Sequence, residues 1–153
     1  MNTVRKFVGP GPLALAAMGT YVVVLGLLVL GPWGWTLNRV TVRLHFFFRS
    51  DVPIAPGWLS PEVYGLALNV LLFVPLGVGV ALLTGRSWWW VAVLAAVVSG
   101  TVEVAQGLWL PRGATLSDVV TNTAGALLGA GAVNLLARAR GRRGTRSASA
   151  RRP

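Results

Sequence analysis

Apolar residues in this chain fall into four long, nearly unbroken runs. They do not form the short alternating bursts of strands, nor the one-sided stripes of soluble helices. The runs cover approximately Leu13 to Leu30, Val63 to Leu83, Trp88 to Leu108 and Leu116 to Ala137. Each is close to the roughly 20 residues needed to cross about 30 Å of hydrocarbon as a helix. The pattern predicts an all-α, polytopic bundle of about four transmembrane helices. The first run follows Arg5-Lys6 and leads into Gly31-Pro32-Trp33-Gly34-Trp35, without a small-residue cleavage site. It is expected to be a retained anchor and not a removable signal.

Only one connection is long, the outer loop from Pro32 to Pro61. Within it, Arg39 and Arg43 are spaced by one helical turn, and Phe46, Phe47 and Phe48 follow. Two readings stand side by side. A short amphipathic element would place the phenylalanines in lipid and the arginines at headgroups. Alternatively, the segment is a loop capping the bundle. Its alternation also fits a strand, but a lone strand beside a membrane has no sheet to join.

The last two runs are interrupted by polar residues. Glu103 and Gln106 are three apart and share a helix face. Gly100 and Gly107 lie near that face, where they would allow close helix approach. Asp118, Asn122, Gly125 and Gly129 follow a 4-3-4 spacing and form one stripe that must face the bundle, since lipid satisfies no polar group. Between the runs sits Pro111-Arg112. The second run adds Asn69 a few residues in, and Pro75, which removes a backbone donor and predicts a kink near mid-membrane. At about 1.5 Å per residue, Glu103 lies roughly 7–8 Å below the end of its run, and Asp118 lies shallower. The long side chain of Arg112 reaches either acid. The expected site is therefore Asn69, Glu103, Gln106, Arg112, Asp118 and Asn122.

Composition supports the membrane assignment. Hydrophobic residues make up 54% of the chain and charged residues 12%, against roughly 25% charged in soluble domains. The net charge of +10 raises nucleic acid as a partner, but half of the 14 basic residues lie between Arg138 and Arg152 in a Gly/Ser/Ala-rich tail. That distribution points to anionic lipid headgroups and away from nucleic acid. The chain thus divides into a transmembrane domain, residues 1–137, and a basic, disordered tail, residues 138–153.

Lys and Arg placement also sets the orientation. With the N-terminus inside, Arg5, Lys6, Arg86 and the tail arginines are cytoplasmic, and only Arg39, Arg43, Arg49 and Arg112 are outside. Both termini are expected in the cytoplasm, and the polar set then sits in the outer half of the membrane. Trp33, Trp35, Trp58 and Trp109 mark outer boundaries, and Trp88, Trp89 and Trp90 an inner one. There is no cysteine and a single histidine, His45, so neither a disulfide nor a bound metal is expected, and no cofactor is implied.

Three roles fit the polar set. It is a structural network with Arg112 neutralising the acids, although desolvation offsets most of the attraction of buried ion pairs. It is a binding site for a polar or cationic headgroup, or a glycan carrier, entering from the outer leaflet. Or it is catalytic, with Glu103 and Asp118 as acid and base and Arg112 holding an anionic group through its planar fork. Ser99, Thr101 and Ser117 are available hydroxyls, but no histidine lies near them in sequence. A further alternative is an accessory subunit packing against a larger partner through Gly125 and Gly129.

The ordered set Asn69-x3-Phe73-x-Pro75-Leu76-Gly77, Glu103-x2-Gln106, Pro111-Arg112 and Asp118-x3-Asn122-x2-Gly125-x3-Gly129 resembles the VanZ-like family of membrane proteins. The matching motifs span residues 69–129. The resemblance implies a small, multi-pass helical protein of the bacterial plasma membrane. It also implies an association with glycopeptide antibiotic resistance, chiefly to teicoplanin, and maps the family's polar motif positions onto the six site residues named above.

Overall fold

The computed structural model describes residues 11–31, 33–109 and 115–149, apart from the side chains of Trp109 and of residues 140–149. Pro32, Pro111-Arg112, Arg5, Lys6 and the last four residues lie outside that set, so the predicted place of Arg112 beside the acids does too. The described residues form helices joined by loops, without strands: α1 Pro12–Leu30, α2 Gly34–Phe46, α3 Pro61–Thr84, α4 Trp88–Trp109 and α5 Leu116–Ser149. Helices α1, α3, α4 and the first part of α5, to Ala139, are long and apolar enough to cross a membrane. They coincide with the four apolar runs.

Local chemistry explains the boundaries. Pro12 and Pro61 each open a helix, where a missing N–H costs nothing. Helix α3 stops at Gly85, whose φ of 64° is left-handed and suits glycine, while its N–H donates to Ala81 O. Helix α3 also runs unbroken through Pro75. The backbone of α5 stays helical to Ser149, into the arginine-rich stretch whose composition predicts an irregular tail.

The long loop contains a real helix. Residues 34–46 form α2, which widens at its exit into a π-helical turn over Phe47–Asp51. The chain then folds back, with Ile54 N and Ala55 N both donating to Phe48 O. One face of α2 packs on the start of α3. His45 is buried there and meets Phe46 and Tyr64 edge to face, while Phe48 stacks on Tyr64. Arg39 and Arg43 remain exposed on the opposite face.

Helices α3 and α5 run parallel and make the closest contact in the bundle, with α4 antiparallel against α5. Glycines allow the close approach. A Cβ built on Gly77 would stand 2.7 Å from Ala126 Cα, one on Gly125 2.9 Å from Phe73 Cβ, and one on Gly129 2.8 Å from Val78 N. Gly125 and Gly129 are thus occupied within the chain, and the expectation that they form a docking face for a larger partner is corrected. The position of Gly100 near the polar face predicts close approach in the same way, but a Cβ there would meet open space. Toward the Trp88 end of α4, Ala81, Val91 and Ala130 form a small core flanked by Val80, Trp90 and Val133. Arg86 lies over the Trp90 ring at 5.2 Å.

Much of the remaining surface is apolar. Leu13, Leu27, Leu71, Leu82, Val97, Val104, Leu128 and Leu135 are all exposed, spread over α1, α3, α4 and α5. Soluble proteins rarely leave so continuous an apolar surface uncovered. In a bilayer the same surface faces lipid, and van der Waals packing and interhelical hydrogen bonds hold the helices together.

Candidate functional site

The end of α1, the starts of α3 and α5 and the end of α4 meet at one end of the bundle, and helix geometry collects the polar residues there. Asn69 of α3 donates through Nδ2 to Asp118 Oδ1 at 2.8 Å. Glu103 of α4 accepts from the backbone N–H of Thr115 at 2.8 Å. Gln106, one turn on, donates through Nε2 to Val29 O at 2.7 Å. Asn122 of α5 donates through Nδ2 to Ser99 Oγ at 2.9 Å. Glu103, Gln106, Asn122 and Ser99 are buried, and Asn69 and Asp118 partly so.

Two of these contacts satisfy helix ends. The first N–H groups and last C=O groups of a helix have no partner within it. Thr115 immediately precedes α5, so Glu103 places a carboxyl at the positive end of that helix. Val29 is in the last turn of α1, and Gln106 satisfies its carbonyl. Asp118, in the first turn of α5, keeps its side chain for Asn69. Helix α1 is also held by the Tyr21 hydroxyl, which donates to Leu72 O of α3.

The same residues border a cavity of about 630 Å³. That lies within the roughly 300–1,000 Å³ typical of small-molecule sites. Asn69, Glu103, Gln106, Asp118 and Asn122 all line it. Apolar walls come from Leu28 and Val29 of α1, Leu37 and Val40 of α2, and Leu66, Leu68, Leu72 and Phe73 of α3. The arrangement is an apolar slot with a polar group of side chains at one part of its lining.

Five of the six residues predicted from sequence are therefore brought together, and the sixth, Arg112, falls outside the described residues. Sequence reasoning missed Ser99 as a member. The signal was its spacing: Ser99, Glu103 and Gln106 sit at i, i+4 and i+7 on one face of α4. It also missed Asn38, Thr41 and Glu62, which line the cavity from α2 and the start of α3. Their inclusion depends on α2 folding back over α3, which no local pattern encodes. Among the described residues no group of three or more metal-ligating side chains comes together. No described hydroxyl in the site is held by a carboxylate, because the partner of Ser99 is the amide of Asn122.

The family model VanZ/LLP1 matches residues 18–137, which takes in all of these site residues and nearly all of the membrane-spanning part. No curated protein and no solved structure matches the chain.

Proposed function

The chain belongs to the VanZ/LLP1 family of membrane proteins, and from that membership and the cavity we propose that it binds the polar head of an envelope lipid or lipid-linked glycan. The ligand enters from the outer leaflet of the bacterial plasma membrane. Both termini lie in the cytoplasm, as the placement of Lys and Arg favours. Through this site the protein acts in the cell-envelope response to glycopeptide antibiotics such as teicoplanin. One observation carries the reading: five polar side chains from three helices converge on one cavity whose other walls are apolar. A merely structural network would close around itself. This one borders a space large enough for a ligand.

A catalytic role for Glu103 and Asp118 is the weaker alternative, since each carboxyl already serves a helix end or a neighbouring amide. The test compares Glu103→Gln and Leu66→Trp with the unchanged chain, measuring membrane abundance and teicoplanin susceptibility in the same cells. Glu103→Gln keeps an oxygen for the Thr115 N–H, and Leu66→Trp fills the cavity. Both variants should accumulate normally and lose the phenotype. Full phenotype in both, at normal abundance, would sink the binding reading.

A further inference from the structure

We propose that the cavity takes an amphiphile with an ammonium head, a deepening of the binding reading above that rests on it. The argument concerns which atoms the polar side chains leave for a ligand. Three of the four amides that line the cavity, all but the exposed Asn38, engage their nitrogen within the protein: Asn69 to Asp118, Gln106 to Val29 O and Asn122 to Ser99. Their oxygens, with one further N–H each, are what remains. Asn122 is 5% exposed and lines the cavity, and its Oδ1 has no hydrogen-bond partner among the described residues. Three carboxyl-bearing residues, Glu62, Glu103 and Asp118, line the same space. Of the described basic residues, Arg39, Arg43, Arg49, Arg86 and Arg138, none lines it.

The described part of the site thus offers acceptor atoms and three carboxyl groups. An ammonium group matches it, with three donors, no acceptor and a positive charge. The amphiphile follows from the walls: Leu37, Leu66 and Leu72 give the rest of the molecule an apolar bed beside the polar group. Phosphate or carboxylate heads would set further anionic oxygens beside three carboxyl groups and are disfavoured.

The experiment uses the full chain in phosphatidylcholine nanodiscs and radiolabelled dodecylamine, with binding to empty discs subtracted. Dodecylamine should bind saturably, one per chain. Dodecanol and dodecyl phosphate should not compete at tenfold excess, nor should ethylamine, which lacks the tail. Glu103→Gln, and separately the exposed Glu62→Gln, should each weaken binding about tenfold or more, as loss of a charged hydrogen-bond partner implies. Leu82→Ala, remote from the cavity, should leave it unchanged. Equal binding of dodecanol, tighter binding of dodecyl phosphate, or an unchanged Kd in both acid variants would overturn the ammonium assignment. If dodecanol saturates the unchanged chain and Leu66→Trp abolishes that binding, the cavity reading survives and only the ammonium head is lost. If no probe saturates, both readings fall.

Discussion

Replacing Gly129 by alanine adds one methyl group at a point where α3 and α5 approach closely. The new Cβ would stand 2.8 Å from Val78 N and closer still to Val74 O. Ordinary contact begins near 3.4 Å, so the helices must part locally by roughly 0.6 Å or more. Both neighbours are backbone atoms and have no rotamer by which to give way. Overpacking of this kind costs about 1–3 kcal/mol, roughly five- to more than a hundredfold in the ratio of folded to unfolded protein. The expected result for Gly129→Ala is a lower midpoint of thermal unfolding for the purified protein in maltoside micelles. Gly131→Ala is the internal control. It lies two residues further along the same helix, and a Cβ there meets nothing within 4 Å. Alanine is also the better helix former by about 1 kcal/mol, so Gly131→Ala should be neutral or stabilising. Equal midpoints for the two variants would refute the claim that close backbone approach at Gly129 holds the bundle together.

Further outcomes follow from individual contacts. Ser99→Ala leaves the Asn122 amide without its buried acceptor and should destabilise by about 1–3 kcal/mol. Thr101→Ala, whose hydroxyl only bonds back to Val97 O on an exposed face, should cost little, and paired thermal melts check the contrast. Gln106→Leu and Tyr21→Phe each remove one tie to α1, at about 0.5–1.5 kcal/mol net for a typical bond. Their combination should raise crosslinking of α1 to added lipid probes without unfolding α3 and α5, and unchanged crosslinking would count against α1 being held this way. For orientation, a reporter fused after Pro153 should read as cytoplasmic, and an extracellular signal would reverse the placement of the cavity.

The membrane-spanning helices were legible because lipid imposes a simple rule: about 20 apolar residues, with every backbone group satisfied internally. The stripe of Asp118, Asn122, Gly125 and Gly129 was legible for the same reason, and its last three members are buried. Spacing could not reveal which partner each residue meets. Asn122 turns to Ser99 on α4 although Gly125 and Gly129, on the same stripe, meet α3. The close approach expected at Gly100 is found instead at Gly77, Gly125 and Gly129. A glycine permits approach, but only the neighbouring helix decides whether approach occurs. Helix α2 was legible as an amphipathic element with an alternative. What the sequence left open was the fold-back that buries His45 against Tyr64 and brings Leu37, Asn38 and Thr41 to the cavity.

The structural and binding roles of the polar set are not rivals at the same atoms. A bundle whose helix ends meet inside the protein has backbone donors and carbonyls that water does not reach, and side chains from neighbouring helices must satisfy them. Glu103 does so for the start of α5, and Gln106 for the end of α1. Each engages one polar atom and holds the rest of the side chain at a fixed place beside the cavity. Preorganisation of this kind lowers the ordering cost of binding, because the groups that meet a ligand are already immobile. Glu103 and Gln106 therefore differ in what substitution should reveal. Glutamine at position 103 keeps an acceptor for Thr115 and replaces only the other carboxyl oxygen by an amide nitrogen. Leucine at position 106 removes the donor that holds α1. A loss of function with the fold intact belongs to the first variant, and a loosened α1 to the second.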